Sequence, residues 1–141
     1  IIENYLITDT DQYTIIYDKL SSYLSKKCLT FLTGELGSGK TSFIKELLAT
    51  KFKFDETTSP TFGIVNTYSI NRKNIYHYDL YRIKNHSELN EFGFYENLDI
   101  ETLHFIEWPE IIPKNIINPD IAINFESQFE DRIVTIKYLN E

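Results

Sequence analysis

The first third of the chain combines short apolar runs with one stretch of helical spacing. Residues 5–7 predict a short strand, and Asp9, with Gln12 three residues later, predicts the start of a helix. The apolar residues of that helix recur at intervals of three and four: Tyr13, Ile16, Tyr17, Leu20, Tyr23 and Leu24. This spacing is typical of a helix that packs one face against a core. Residues 28–33, CLTFLT, predict a buried strand.

The rest of the pattern predicts one more helix, five strands and a helical region. A helix is predicted over residues 40–50 and a polar loop over residues 51–62. Strands are predicted at residues 64–70, 75–80, 103–108, 121–125 and 133–139. A turn at residues 71–74 joins the first two of these strands, and residues 86–98 predict a short helical region. A polar turn joins the last two strands in the same way. The order of elements predicts an α/β fold, and these two hairpins predict a mixed sheet.

Composition and charge narrow the classes of protein that fit. The chain has 141 residues, 42% of them hydrophobic and 25% charged, which predicts one globular domain over residues 1–141. Its net charge of −7 argues against stable direct binding of nucleic acid, so in a nucleic-acid pathway we expect it to act through a protein partner. The one cysteine, Cys28, fits a reducing cytoplasm. No apolar run approaches the ~20 residues that span a bilayer, and no membrane association is expected.

A glycine-rich loop supplies the first candidate chemistry. Residues 34–41, GELGSGKT, match the phosphate-binding pattern G-x-x-x-x-G-K-[ST] without a mismatch. Glycines allow torsions that point N–H groups at phosphates, and the following helix aims its positive end at the same anion. Lys40 would add charge between the β- and γ-phosphates, and the Thr41 hydroxyl suits Mg²⁺. The sequence therefore predicts a P-loop NTPase-like three-layer sandwich with a mixed central sheet and helices on its faces.

Two carboxylates could complete a metal site beside this loop. Hydrolysis by a P-loop protein needs a carboxylate for Mg²⁺ and a group that orients water. Asp79 and Glu107 both end apolar or aromatic strands. Alternation places Glu107 on the face of Phe105, where a charge is costly unless it is paired or near a metal. Both are predicted site residues, and which one contacts Mg²⁺ directly stays open. His77 and His104 lie in separate strands without zinc-type spacing, and we interpret both as structural.

Five short segments together carry a family resemblance. They are residues 32–43 (LTGELGSGKTSF), 59–62 (SPTF), 77–82 (HYDLYR), 91–94 (EFGF) and 105–110 (FIEWPE). In this order, and spanning nearly the whole chain, they resemble the TsaE (YjeE) family of bacterial P-loop ATPases. Many families share the P-loop, whereas the combination of SPTF, HYDLYR and IEWPE is far more diagnostic.

The resemblance implies a role for each matched residue. The nucleotide would be bound by the loop and the start of its helix: Gly34, Gly37, Ser38, Gly39, Lys40, Thr41 and Ser42. Thr41 and Glu107 would serve Mg²⁺. Lys40 would act in catalysis together with Asp79, which would activate or position the attacking water, and Thr61, which would sense the γ-phosphate.

Three further positions match the family less directly. Thr10, before the first helix, and Arg132, in the last part of the chain, match positions that border the nucleotide by spacing rather than by a motif. Trp108 would lie near the nucleotide or at an interface.

The resemblance also implies the activity and the partners. The family is required for threonylcarbamoylation of adenosine 37 in tRNA, as an ATP- and Mg²⁺-dependent ATPase that acts on a complex of TsaD and TsaB. A small-molecule kinase uses the same loop but normally needs a lid with arginines, and this chain has three: Arg72, Arg82 and Arg132. A GTP-type switch protein is a further alternative, although the sequence lacks an N-K-x-D stretch to read guanine.

Overall fold

The strands that carry residues of the candidate site all belong to one sheet. The structure is a computed structural model that describes residues 1–52, 56–57 and 63–139. Its strands are β1 (Ile2–Ile7), β2 (Cys28–Gly34), β3 (Glu56–Thr57), β4 (Val65–Ile70), β5 (Lys73–Asp79), β6 (Leu103–Glu107), β7 (Ile121–Gln128) and β8 (Asp131–Tyr138). They lie in the order β1-β8-β7-β2-β6-β5-β4-β3.

The sheet is mixed, with a parallel centre. Strands β7, β2, β6 and β5 are parallel neighbours. Antiparallel strands extend this centre on both sides, β8 and β1 on one and β4 and β3 on the other. In the register of the sheet, Glu107 of β6 stands beside Leu32 of β2 and Asp79 of β5. The carboxyl ends of the parallel strands therefore meet at one edge, where open α/β sheets bind their ligands.

Among the described residues, four helices flank the sheet. They are α1 (Tyr13–Tyr23), α2 (Lys40–Leu47), α3 (Glu88–Glu91) and α4 (Phe94–Leu98). Helix α2 continues through a wider helical turn, Leu48–Phe52, and tight 3₁₀ turns occur at Thr10–Gln12 and Pro109–Ile111. Within the part of the chain that the structure describes, no helix has the length and apolar character needed to cross a membrane.

Strand β6 separates two apolar cores. Phe105 belongs to the core that includes Ile16 of α1 and Leu47 of α2. Ile106, the next residue, belongs to the core of α3 and α4, which includes Phe94. Because successive strand residues point to opposite faces, α1 and α2 cover one face of the sheet and α3 and α4 the other. The predicted α/β sandwich with a mixed sheet is confirmed.

The turn before α1 is fixed by side-chain hydrogen bonds. The Asp9 carboxylate accepts from the Asp11 N–H at 3.0 Å, and the Gln12 side-chain oxygen accepts from the Asp9 N–H at 3.2 Å. Asp9 and Gln12 thus form the capping box that their spacing predicts. This box sets the path of the chain through Thr10, directly after β1.

Several predicted boundaries differ from the observed ones. β3 lies where a polar loop is predicted, because its two residues carry no hydrophobic alternation and pair only with β4. The predicted turn at residues 71–74 is shorter: Asn71 and Arg72 have φ of +50° and +65°, as a two-residue hairpin turn requires. The helical region at residues 86–98 is split at Gly93, whose φ is +69°.

Candidate functional site

The glycine loop joins the end of β2 to the start of α2. Gly37 has φ of +79° and Gly39 has φ of +98°, a region that side chains rarely adopt. At Gly39 a Cβ would stand 2.4 Å from Arg132 Nη1, so only glycine lets the guanidinium lie against the loop. The loop leads directly into Lys40, the first residue of α2, and the positive end of that helix therefore opens toward the loop.

Lys40 is held inside the loop that precedes it. Its side chain is 4% exposed, and Nζ donates to the carbonyl oxygens of Gly34 at 2.6 Å and Glu35 at 3.0 Å. A longer contact of 3.4 Å reaches Ser38 Oγ, and the ammonium lies 4.4 Å from the ring centre of Trp108. Burial lowers the pKa of Lys40, and the carboxylates of the same cleft, Glu107 first, oppose that effect. The ammonium is thus held in place near the carboxylates of Glu107 and Asp79.

Glu107 is the buried carboxylate of the site. It is 3% exposed at the end of β6, and its Oε2 accepts a hydrogen bond of 2.7 Å from Thr41 Oγ1. The same oxygen lies 2.5 Å from Nε2 of His77 on β5. The position of Glu107 on the face of Phe105 agrees with the alternation in the sequence. Its pairing with Thr41 brings together the two residues to which the family resemblance assigns Mg²⁺ binding.

Asp79 stands next to Glu107 at the end of the neighbouring strand. The two residues are register partners across β5 and β6, and Asp79 is the exposed member of the pair. Its Oδ1 accepts from the N–H of Tyr81 at 3.1 Å, which ties the carboxylate to the turn that follows β5. The Tyr81 ring packs against Trp108 with ring centres 5.0 Å apart. Asp79 is therefore oriented at the mouth of the site and open to solvent.

Thr10 and Arg132 reach the site from the end of the sheet that β1 and β8 form. Strand β1 pairs with β8 so that Ile7 stands opposite Arg132. The 3₁₀ turn after β1 begins at Thr10, which therefore lies near the Arg132 end of β8. Both residues line the same cleft as the loop, although they lie near opposite ends of the sequence.

The predicted residues converge on one cleft of about 540 Å³, which we call the P-loop cleft. Its lining comprises Thr10, Leu36, Gly37, Ser38, Gly39, Lys40, Thr41, Ser42, Glu46, Asp79, Glu107, Trp108 and Arg132. Gly34 is not part of this lining: it packs under the loop, where a Cβ would stand 2.7 Å from the carbonyl oxygen of Phe125. The prediction for Thr61 falls outside the described residues. In those residues no group of three histidine, cysteine or acidic side chains could enclose a metal ion.

The family model of the threonylcarbamoyl adenosine biosynthesis protein TsaE matches residues 7–134. The chain belongs to the TsaE family. It is 41% identical over 111 residues to the tRNA threonylcarbamoyladenosine biosynthesis protein TsaE of Rickettsia conorii, a match that covers 77% of this chain and 62% of that protein. With the Rickettsia felis protein of the same name the identity is 40% over 116 residues, covering 80% of this chain and 66% of that protein. The matches thus span less than two thirds of these two relatives' length.

One further relative and one solved structure are also similar to this chain. The TsaE protein of Borreliella burgdorferi is 43% identical over 110 residues, with 74% of this chain and 77% of that protein covered. The crystal structure of Bacillus subtilis YdiB has a TM-score of 0.72 and 20% sequence identity to this chain, and the match covers 99% of this chain and 87% of that one. At that identity the likeness shows the fold, and it extends over nearly all of the chain.

Three residues of this TsaE-family site are not found by sequence reasoning. Glu46 and Leu36 line the P-loop cleft, and His77 contacts Glu107. Helical spacing gives a clue to Glu46, which follows Ser42 by four residues and so shares its side of α2. The sequence interpretation of His77 as structural rests on the lack of zinc-type spacing with His104. Only the register of the sheet brings His77 to Glu107.

Gly39→Ala is expected to affect stability and nucleotide affinity together. A left-handed backbone at a residue with a side chain costs about 1–2 kcal/mol, and the new Cβ would also push Arg132 from the loop. Gly93→Ala is the matched control, since its φ is +69° but its Cβ would meet only Glu96 Oε2, at 3.5 Å. Urea unfolding should show that both variants are destabilised, whereas calorimetric titration should show weaker ATP binding for Gly39→Ala alone. Unchanged affinity in Gly39→Ala would contradict the placement of Arg132 at the nucleotide.

Proposed function

We propose that this chain is a Mg²⁺-dependent ATPase that serves threonylcarbamoylation of adenosine 37 in tRNA by acting on a complex of TsaD and TsaB in the cytoplasm. The observation that carries the proposal is the convergence of Lys40, Thr41, Asp79 and Glu107 on one cleft at the carboxyl edge of the sheet. Membership of the TsaE family supplies the pathway. The R. conorii relative carries the same pathway in its name.

The loop is suited to a chain of phosphates. Gly37 and Gly39 have the positive φ values that turn successive backbone N–H groups toward one side, and α2 begins directly behind them. The Lys40 ammonium already lies within the loop, with its weakest contact, to Ser38 Oγ, available for exchange with a phosphate oxygen. Arg132 contributes a second cation beside Gly39. These groups would bind the triphosphate by charge and by backbone hydrogen bonds.

The residues at the base of the cleft fit Mg²⁺. Thr41 and Glu107 present hydroxyl and carboxylate oxygens that already lie 2.7 Å apart, and both are the hard donors that Mg²⁺ prefers. Two such residues are sufficient, because Mg²⁺ in nucleotide sites is held by one or two protein groups together with phosphate oxygens and waters. When bound, the ion would neutralise charge on the β- and γ-phosphates. Thr41 and Glu107 would hold it, with Asp79 the alternative direct ligand.

Asp79 is the group that would act on water in this proposal. Its side chain is exposed, lines the cleft and is oriented by the Tyr81 N–H, next to the buried Glu107. A carboxylate in this position would orient the water that attacks the γ-phosphorus and accept its proton as ADP leaves. The net charge of −7 supports a function through protein partners rather than through direct binding of tRNA.

The deciding experiment measures ATP hydrolysis by this chain alone and with the TsaB–TsaD pair in one series. We expect the pair to stimulate hydrolysis, EDTA to stop it, and the complete set to restore threonylcarbamoyladenosine in tRNA. Omission of this chain is the control for the modification assay. Hydrolysis that the pair leaves unchanged, together with phosphorylation of a supplied metabolite, would favour the kinase alternative. Tighter binding of GTP than of ATP would favour the switch alternative.

A further inference from the structure

A buried histidine contacts the carboxylate at the base of the P-loop cleft. His77 is 1% exposed on β5, two residues before Asp79, and its register partner on β6 is Phe105. Since residues two apart on a strand share a face, His77 points to the same side of the sheet as Glu107, which is two residues beyond Phe105. The 2.5 Å contact between His77 Nε2 and Glu107 Oε2 follows from this register.

The hydrogen bonds around Glu107 select one of its two oxygens. A carboxylate only accepts, so His77 donates through its Nε2–H, and Thr41 donates through its hydroxyl. Both donors use Oε2, at 2.5 and 2.7 Å, and Oε1 takes part in neither bond. Two donors on separate elements, β5 and α2, thereby fix the rotation of the carboxylate.

The two buried histidines of the sheet differ in how many of their ring nitrogens have hydrogen-bond partners. His104 uses both nitrogens: Nδ1 lies 3.1 Å from Tyr78 Oη, and Nε2 lies 2.9 Å from the Ile100 carbonyl oxygen. His77 Nδ1, in contrast, has no hydrogen-bond partner among the described residues. An unpaired buried nitrogen costs about 1–3 kcal/mol, a cost that an apolar residue beside Phe105 would avoid. Among the described residues, the ring of His77 therefore forms a hydrogen bond only through Nε2, to Glu107.

We propose that His77 is a positioning residue that holds the Glu107 carboxylate in the orientation needed to serve Mg²⁺ and so sets the Mg²⁺ requirement of nucleotide binding. This inference rests on the proposed function of the cleft. Residues that hydrogen-bond to a metal ligand orient it, and their replacement typically weakens metal affinity by about 10- to 100-fold. Removing the His77 donor would leave Glu107 held by Thr41 alone, the residue that is itself assigned to the metal.

The test compares two side-chain amides of different reach. In His77→Gln the amide nitrogen can take the place of Nε2 and donate to Glu107. In His77→Asn the amide nitrogen takes the position of Nδ1 instead and is too far from Glu107 to donate a hydrogen bond to it. His77→Leu removes the donor altogether, and His104→Leu is the matched control, because it removes a buried histidine from the neighbouring strand on the opposite face. ATP affinity is measured by calorimetric titration over a series of Mg²⁺ concentrations, and urea unfolding reports stability.

We expect His77→Asn and His77→Leu to need about tenfold more Mg²⁺ for half-maximal ATP affinity. His77→Gln should stay near the wild type, and all variants should bind ATP equally in EDTA. His104→Leu should lose stability without a change in the Mg²⁺ requirement. The inference about His77, but not the proposed function, would be overturned if His77→Asn had the wild-type Mg²⁺ requirement or if His104→Leu shifted that requirement equally. A wild-type chain whose ATP affinity does not depend on Mg²⁺ would overturn the proposed function as well.

Discussion

Lys40→Ala is expected to weaken ATP binding about 100-fold, which corresponds to about 2.7 kcal/mol. Hydrogen bonds to charged groups contribute about 1.5–3 kcal/mol, and the Lys40 ammonium is held in place before any nucleotide arrives, so little ordering opposes its interaction with phosphate. Its bonds to the Gly34 and Glu35 carbonyl oxygens also brace the loop. Both effects act in the same direction and are measured together by calorimetric titration with ATP.

Lys45→Ala provides the control for this variant. Lys45 belongs to the same helix but is exposed and has no place in the lining of the P-loop cleft. Its replacement removes the same charge from the chain and should change ATP affinity less than threefold, because exposed charges outside a site are screened by salt. Equal affinities for the Lys40→Ala variant and the wild type would show that the cleft is not the phosphate site.

Asp79→Asn is expected to lower the rate of ATP hydrolysis about 100-fold while ATP affinity changes less than threefold. General-base groups contribute about 10²- to 10⁴-fold to a rate, and an amide cannot accept the proton of water at neutral pH. The amide oxygen can still accept the hydrogen bond from the Tyr81 N–H, so the turn after β5 stays in place. The measurement is single-turnover hydrolysis in the presence of the TsaB–TsaD pair, with ATP affinity determined separately.

Asp99→Asn tests whether the effect is specific to the site. Asp99 is exposed at the end of α4, on the helix layer opposite α2, and its replacement makes the same change in charge. It should hydrolyse ATP at the wild-type rate. If Asp79→Asn instead lost mainly affinity, Asp79 would be acting on Mg²⁺ and Glu107 would be the candidate for the group that orients water.

Local patterns predicted the parts of the site that lie close together in the chain. The loop, its preceding strand and its following helix are one continuous segment, which the motif and its apolar flanks predict. The motif does not predict that Leu36 and Glu46 line the cleft or that Gly34 packs under the loop. The face of Glu107 followed from alternation within β6, because a strand has a strict period of two. Such features depend on neighbours in sequence and need no knowledge of the rest of the fold.

Contacts between residues on different strands cannot be predicted from the hydrophobic pattern. His77 meets Glu107 only because β5 and β6 pair with one register, and a shift of one residue would turn His77 to the other face. Thr10 reaches the cleft because β1 adds to β8 at the edge of the sheet. The resemblance predicts by spacing that Thr10 and Arg132 border the nucleotide, whereas the register explains why they line one cleft. Neither register is written in the hydrophobic pattern of a single strand.

Trp108 gives this protein a built-in optical reporter. It is the single tryptophan of the chain, its ring lies 4.4 Å from the Lys40 ammonium, and its backbone is held in the left-handed region at φ +58°. Indole emission responds to nearby charge, so any ligand that draws Lys40 away from the ring should change the intensity or wavelength of the whole protein's fluorescence. No attached dye is needed, which is useful because the one thiol, Cys28, is buried in the core. Binding rates at the loop can therefore be followed by stopped flow on the unmodified chain.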